Sequence, residues 1–462
     1  AALLLAGCTA GPDYVRPAVA TPPAWKLEAP WRAGAPDDAA PKGPWWQRFG
    51  DPRLDALQQQ AIAQSPTLVL AAARLEQARA FVRTASASQG LNANIAARAT
   101  RQHISANRPL TNYGSDNFST VQNDFVPLLV VSYELDLAGR VRRSVESAEA
   151  SADQSVADLE NARLLLGADL ATAYFNLRAT DIELDVVARS IALQRRSLDF
   201  VSARHDLGAS SGLEVAQQQA LLDTTLTQVD LLRRQRGLFE HAVATLTGTP
   251  APAFELAPDI AALEPPTVPL GVPSDVLQRR PDVASAERAM AAANAQIGVA
   301  AAAYYPSITI SPVAGFETRS LTSLFEASSL LWSFGATVTQ PLLSGGRLSA
   351  NVDIAKANYD ATVANYRRVV LTAMQEVEDG ITGLAALERA DRQARAAVET
   401  ARKVLDLANA RYEGGATTYL DVITAQQSLL SAERLAAQLG GQRLLTSVFL
   451  IKALGGDWQG PG

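Results

Sequence analysis

Two acidic residues occupy matching places in a repeated stretch of this 462-residue chain. The segment 204–215 reads RHDLGASSGLEV, and 411 − 204 = 207 residues later the segment 411–422 reads RYEGGATTYLDV. Each contains a glycine that permits the positive φ of a tight helix reversal, Gly208 or Gly415. Glu214 and Asp421 follow that break, and carboxylates gathered around a symmetry axis form rings that select and bind cations. The repeat therefore predicts two helix hairpins, each with a carboxylate just beyond its turn. A second interpretation is that each carboxylate only stabilises the dipole at a helix N-terminus.

The single cysteine indicates a different chemistry, covalent lipid attachment. Leu5-Ala6-Gly7-Cys8 has the lipobox order of bacterial lipoproteins, and the apolar residues before it are typical of a signal peptide. Residues 1–7 are therefore expected to be a signal remnant. An N-acyl and diacylglycerol modification of Cys8 would supply the two chains that stable anchoring needs. Thr9, rather than Asp, after the cysteine favours export to the outer membrane. An incidental buried thiol is the alternative.

Composition argues against several other classes of protein. The chain has 41 basic and 47 acidic residues without a basic block, so nothing indicates nucleic-acid binding. Its three histidines lie in unrelated contexts, and no second cysteine is present for a thiolate metal site. We expect neither an enzyme, nor a metal site, nor any cofactor besides the lipid on Cys8. A lipid-anchored structural coiled coil remains a competing hypothesis.

Proline-rich stretches divide the chain into two halves with the same order of elements. The predicted divisions are an extended N-terminal segment at 8–50, a first repeat at 51–248, a proline-rich linker at 249–280, a second repeat at 281–456 and a tail at 457–462. The four tryptophans between Gly11 and Trp46 favour a segment that lies against a surface. Each repeat begins with a helix, at Pro66 or Pro281. Matching glycines 207 residues apart indicate duplication of a half-structure.

Very long helices follow in each half. Residues 140–204 contain no proline and would span roughly 95 Å as one helix. Helices of this length do not fit inside a globule, so they are expected to pack lengthwise as coiled coils. The predicted long helices are 140–204, 212–247, 347–412 and 418–455. We expect Leu213 and Leu420, one beside each turn, to pack the returning helix.

Each half also carries one predicted β-hairpin, at about 91–135 and 305–343. Around Trp332 to Thr339, apolar and polar residues alternate with period two, as in a strand with one apolar and one polar face. The segment at 105–117 reads as a polar loop. Four strands cannot close a barrel, for which about eight are usual, and open edges are costly in lipid. We therefore expect copies of the chain to share one barrel, with twelve strands from three copies.

Several motifs resemble the TolC-type outer-membrane factors, in the lipoprotein branch that includes OprM- and NodT-like channels. They are GCTAGPDYVRP, WWQRFGDPRLDAL, PSDVLQRRPDVASAE, ANAQIGVAAAAYYPSI, QPLLSGGR and RYEGGATTYLDVITAQQSL. The resemblance implies a mainly α fold with a transmembrane β part. It implies a homotrimer in which a twelve-stranded barrel of four strands per chain continues into a periplasmic α-helical barrel, with a mixed equatorial domain. It also implies partnership with a periplasmic adaptor and an inner-membrane pump of the RND type.

The same resemblance assigns roles to residues at the hairpin turns. These turns would be the periplasmic tips where the pore is narrowest, with Asp421 and Glu214 lining the entrance. Tyr412, Arg411 and Arg204 match positions that tie the hairpins together when the channel is closed, with surface solvation as the alternative for the arginines. Many relatives carry an acidic residue where this chain has Thr424, so part of the usual ring is absent. The implied function is efflux of small toxic compounds or drugs across the outer membrane, and protein secretion of type I is the alternative.

Overall fold

A computed structural model describes residues 9–16, 43–105, 120–262, 264–268 and 279–456. Cys8, most of the expected polar loop, most of the tryptophan-containing N-terminal segment, part of the central linker and the tail lie outside the described residues. The chain forms two compact units. The first consists of Ala1–Ala18, Arg74–Ser155 and Ser285–Tyr366, and the second of Val19–Ala73, Val156–Ala284 and Arg367–Gly462.

Seven α-helices account for most of the described chain, which confirms the mainly α class. They are α1 (Pro52–Gln64), α2 (Pro66–Ala87), α3 (Arg140–Asp206), α4 (Gly212–Leu246), α5 (Pro281–Ala302), α6 (Arg347–Glu413) and α7 (Tyr419–Ala453). Both α3 and α6 have 67 residues, and both α4 and α7 have 35. The helices of the second set begin 207 residues after those of the first (347 − 140 and 419 − 212), so the helix bounds follow the sequence repeat.

Helix α1 is an element that the sequence analysis did not predict. Its start is specified by Asp51, whose carboxylate accepts hydrogen bonds from the backbone N–H groups of Arg53 and Leu54, and by Pro52 at the first helical position. Asp51 is also buried and accepts hydrogen bonds from the Tyr174 hydroxyl at 2.6 Å and from Arg178 Nη1 at 2.8 Å. The start of α1 is thereby fastened to α3 within the second unit.

The first unit contains the sheet, built from β1 (Asn92–Ile104), β2 (Thr120–Leu135), β3 (Ser307–Ile310), β4 (Val313–Phe316), β5 (Leu330–Ser333) and β6 (Ala336–Thr339). All pairings are antiparallel. Tyr133 of β2 faces Ile310 of β3, and three residues along each strand Val130 faces Val313 of β4. Because one register runs through both pairs, β3 and β4 are two parts of one extended strand, and β5 and β6 are likewise two parts of another.

The predicted second hairpin is present, and each of its two strands is interrupted, which the sequence analysis did not predict. One interruption falls at Ser311 and Pro312, where proline has no N–H to donate to the ladder. The Pro312 carbonyl still accepts a hydrogen bond from Val131, and Ser311 donates to the Gly335 carbonyl across the gap. The sheet thus keeps four strand positions, in the order β1, β2, β3–β4 and β5–β6.

The two faces of this sheet differ in polarity. One face exposes large apolar side chains, among them Ile95, Leu129, Trp332, Phe334 and Val338, all between 47% and 84% exposed. The other face carries polar residues near both ends of the strands. Among the described residues, no helix combines the length and the apolar character needed to cross a membrane.

Candidate functional site

The two helix turns of the repeat have the same backbone geometry. Gly208 and Gly415 both adopt φ of 71°, in the left-handed region that favours glycine. Gly208 donates to the His205 carbonyl at 2.8 Å, and Gly415 donates to the Tyr412 carbonyl at 3.0 Å. In each turn the next residue, an alanine, donates to the carbonyl five residues earlier at 2.8 Å, as in a Schellman motif. Both turns therefore form tight reversals between long helices, as the sequence analysis predicted.

The two turn leucines do not have the packing role that was expected of them. Leu213 is 66% exposed and Leu420 is 54% exposed. Helix phase explains this difference, because the inward positions next to them belong to Val215 in α4 and to Tyr419 and Val422 in α7. Those residues pack in an apolar cluster that joins α3, α4, α6 and α7 near the turns.

One hydrogen bond crosses from the second hairpin to the first. The Tyr412 hydroxyl donates to Glu214 Oε2 at 2.8 Å, and the same carboxylate accepts a hydrogen bond from the Ser210 hydroxyl. Tyr412 is buried, and its ring lies 5.0 Å from that of Tyr419. Burial raises the pKa of the Tyr412 phenol, and the hydrogen bond to Glu214 raises it further. The phenol therefore remains a hydrogen-bond donor at neutral pH.

The two arginines predicted to act here behave differently. The Arg204 guanidinium lies 5.1 Å from the centre of the Tyr412 ring, which is a cation–π contact from the first hairpin to the second. Its Nε is buried and has no hydrogen-bond partner within the described residues. Arg411 is exposed. Of the two, Arg204 contributes to the contact between hairpins inside one chain.

Asp421 occupies the position equivalent to Glu214 but has fewer contacts. Its carboxylate accepts a hydrogen bond from the Thr417 hydroxyl, matching the Ser210–Glu214 contact 207 residues earlier. Asp421 is exposed, and the described part of the chain places no cation beside it. Thr424 is exposed too, and its hydroxyl donates to the Leu420 carbonyl within its own helix. Glu214 is thus engaged inside the chain, whereas Asp421 remains available to other groups.

A buried layer of polar side chains lies next to this contact. The Tyr419 hydroxyl donates to Gln218 Oε1 at 2.9 Å, and Gln218 Nε2 donates to the Gln194 carbonyl of α3 at 3.0 Å. Gln426 of α7 donates to the Ser197 hydroxyl at 2.9 Å. Gln218 and Gln426 are both almost fully buried. Several directional hydrogen bonds therefore hold α7 against α3 and α4.

The sequence analysis missed Tyr419 and Gln218, although a signal for the tyrosine was present. Tyr412 and Tyr419 stand where the first copy has His205 and Gly212, so they are places where the repeat is broken. Gly212 lies close to the His205 ring, just as Tyr419 lies close to Tyr412. The two positions face each other in both hairpins, and only the second copy fills them with two aromatic rings.

The first described residues after Cys8 form an ordered strap on the first unit. Ala10 donates to the Ala138 carbonyl at 3.0 Å, and Arg143 binds Asp13 at 2.7 Å. Thr9 lies so close to Gly139 that a Cβ added to this glycine would be 2.7 Å from the Thr9 methyl. The strap therefore begins at the connection between β2 and α3.

Comparisons with known proteins agree with this geometry. The family model described as Outer membrane efflux protein matches residues 57–249 and 272–456. The chain is 32% identical to the pyoverdine export outer membrane protein OpmQ of Pseudomonas aeruginosa, over 99% of this chain and 96% of that protein. It is also 32% identical to the toluene efflux pump outer membrane protein TtgF of Pseudomonas putida, over 98% and 95% respectively. The solved structure of the outer-membrane channel OprN superposes with a TM-score of 0.90 at 29% identity, over 98% of this chain and all of that one. The chain belongs to the outer membrane efflux protein family and is an outer-membrane efflux channel.

Proposed function

We propose that the protein is the passive outer-membrane conduit of a tripartite efflux system and that it works as a homotrimer. Within the described residues, the outer edges of β1 and of the β5–β6 strand have no partner strand. An open edge in lipid leaves backbone groups unsatisfied, at several kcal/mol each. Three copies joined edge to edge would close a barrel of twelve strands with the apolar face outward. The sheet itself supports this arrangement.

Its cargo would be small toxic compounds or drugs, delivered by a periplasmic adaptor and an RND-type inner-membrane pump. The similar proteins named for pyoverdine export and toluene efflux support small molecules as cargo. The conduit would carry no energy source of its own and perform no chemistry. Substrate choice would then depend largely on the pump.

Passage would be controlled at the helix hairpins, and the observation that carries this proposal is the hydrogen bond from Tyr412 to Glu214. It joins the second hairpin to the first, and deleting one oxygen atom, the Tyr412 hydroxyl, removes it. A hydrogen bond to a charged acceptor contributes about 1.5–3 kcal/mol. With the Arg204 contact, it would hold the hairpins together until the adaptor or pump separates them.

The hairpin proposal is tested by single-channel conductance in a planar bilayer. Tyr412→Phe removes the hydroxyl and keeps the ring, so it should enlarge the conductance of the purified protein. Tyr304→Phe is the matched control, because Tyr304 is exposed and lies in the other unit. A Tyr412→Phe channel that conducts like the unmodified protein would exclude this link from control of passage.

Lipid attachment at Cys8 is part of the same proposal. The strap that follows Cys8 begins where β2 ends, which supports an anchor near the periplasmic rim of the barrel. Labelled palmitate should be incorporated into the protein in cells and not into a Cys8→Ser variant. Equal labelling of both proteins would exclude Cys8 as the attachment site.

A further inference from the structure

One row of residues that crosses all four strand positions of the sheet contains no polar side chain. Ala96 faces Leu128, Leu128 faces Gly315, and Gly315 faces Leu331. Val130 and Val313 form the neighbouring pair on the same face. This face is the polar one at both ends of the strands, so the row interrupts it.

Polar rows lie on either side of this interruption. Towards one end, Glu134 faces Thr309, which in turn faces Thr337. Towards the other end, Arg98 forms an ion pair with Asp124 at 2.8 Å. The apolar residues are therefore a band within a polar face and not a continuation of the apolar face on the other side.

Exposure separates the band from the opposite face of the same strands. Leu129 and Trp332 point to the opposite face and are 47% and 74% exposed. Leu128 and Leu331, their neighbours in sequence, are half-buried. The alternation places the band on the face that would turn towards the lumen, since the more exposed and more apolar face would turn towards lipid.

Gly315 lies between the two leucines of the row. A Cβ added to Gly315 would lie 2.2 Å from the Pro127 carbonyl oxygen and 2.9 Å from Leu128 Cδ2. The Leu128 side chain thus covers the place that a side chain at position 315 would need. Leu128 and Leu331 then present their apolar groups on both sides of a bare backbone position.

We propose that Leu128, Val130, Val313 and Leu331 form an apolar belt that binds apolar organic solutes weakly as they pass the barrel. This inference rests on the proposed function, because three copies are needed to complete the belt. Apolar solute surface gains free energy when it leaves water for such a wall, while a small hydrated ion gains none. The belt would therefore favour the binding of apolar cargo over that of ions. The polar zones on either side of it would keep the rest of the passage filled with water.

The belt is tested with two organic cations of equal charge in a planar bilayer. Tetraphenylphosphonium carries a large apolar surface and tetraethylammonium a small one. Both cations are added on the outer side of the bilayer. We expect tetraphenylphosphonium to block the current at concentrations about tenfold lower than tetraethylammonium.

Replacing the two leucines should remove this difference. Leu128→Asn with Leu331→Asn should raise the half-blocking concentration of tetraphenylphosphonium about fivefold to tenfold and leave that of tetraethylammonium unchanged. Thr100→Asn is the control, because this position pairs with Asp124 on the same face but lies outside the belt. Leu331→Thr alone is the milder variant, with barrel assembly followed by heat-dependent electrophoretic mobility.

The outcomes separate the two proposals. If neither the unmodified protein nor Tyr412→Phe forms a channel after assembly, the conduit itself would be overturned. If the channels conduct, but tetraphenylphosphonium blocks Leu331→Thr and the double variant at the same concentration as the unmodified protein, the belt alone would be overturned. Selective weakening of that block, absent from Thr100→Asn, would establish the belt.

Discussion

The hydroxyl of Tyr412 donates to Glu214 Oε2 at 2.8 Å and joins the two helix hairpins of one chain. The two residues are 198 positions apart in sequence and meet only because the duplicated hairpins lie side by side. The carboxylate of Glu214 has its counterpart in Asp421, but the phenol has none in the first copy, where His205 stands. The link between hairpins therefore arose from divergence of the two copies.

A double-mutant cycle should show that Tyr412 and Glu214 act through the same hydrogen bond. Tyr412→Phe and Glu214→Gln should each raise the conductance, and the double variant should conduct no more than the larger single effect. The coupling free energy between the two side chains should be about 1–2 kcal/mol, because partial exposure of the carboxylate to solvent weakens the hydrogen bond. Asp206→Asn in the same turn is the control and should change little. Effects that add in full would show that the two side chains act separately.

Alkaline pH should weaken the contact between the hairpins. Burial raises the pKa of both Tyr412 and Tyr419 above the usual value of about 10 for a phenol. Their neutral forms are thus favoured in the folded state. The neutral phenols contribute their full stability to the folded state below pH about 10. This contribution is lost as the pH rises through their raised pKa values.

Ultraviolet absorbance of tyrosinate gives the measurement. The unmodified protein should contain tyrosines that ionise later than the exposed ones, and Tyr412→Phe should remove part of that late phase. Conductance should stay constant from neutral pH to about pH 10 and increase above it. If all tyrosines ionised together near pH 10, the buried contact would not persist in solution.

Divalent cations should reduce the conductance through Asp421. Three-fold symmetry would bring three copies of this exposed carboxylate around the axis, and rings of carboxylates bind cations. Millimolar Mg²⁺ should therefore lower the current of the unmodified channel, and Asp421→Asn should abolish the effect. Asp406→Asn neutralises an exposed carboxylate on the neighbouring helix α6 and should keep the Mg²⁺ effect. An Asp421→Asn channel as sensitive to Mg²⁺ as the unmodified one would remove Asp421 from the entrance.

Much of the fold could be predicted because its strongest signals are local and repeated. The long helices lack proline, and glycines at matching positions mark their ends, so most predicted bounds lie within two residues of the observed ones. Helix α1 was missed although Asp51-Pro52 is a standard start signal. The proline-rich stretch before it led us to place the first helix of the repeat at Pro66. The interruption at Pro312 was missed because period-two alternation continues through it.

The site was less predictable than the fold for a physical reason. The spacing of the repeat located Glu214, Asp421 and Tyr412. Whether such a side chain has a hydrogen-bond partner depends on helix phase and on residues distant in sequence. Leu213 and Leu420 were expected to pack against the returning helix, and both are exposed. The glutamines that bind Tyr419 and Ser197 have no pattern that separates them from glutamines on a solvated surface.

The buried ion pair between Asp51 and Arg178 gives a prediction about stability. Both side chains are at most 5% exposed, and Asp51 also accepts the Tyr174 hydrogen bond and caps α1. Asp51→Ala would leave the Arg178 guanidinium buried with the Tyr174 hydroxyl at 2.8 Å, the weaker charged partner Asp259 at 3.4 Å, and two backbone carbonyls. Breaking a buried pair from one side costs about 3–5 kcal/mol, and the remaining partners favour the lower end.

Thermal unfolding followed by helix circular dichroism in detergent checks this prediction. Asp51→Ala should unfold well below the unmodified protein. Asp51→Asn keeps one acceptor oxygen for the helix cap but presents an NH2 donor to Tyr174 and Arg178, so it should unfold between the unmodified protein and Asp51→Ala. Glu388→Gln is the matched control, because it removes a carboxylate from an exposed pair with Arg392 that contributes at most about 0.5 kcal/mol. If Asp51→Ala unfolded together with Glu388→Gln, the pair would not hold α1 on α3. The start of α1 would then depend on the apolar contacts of Leu54, which is fully buried.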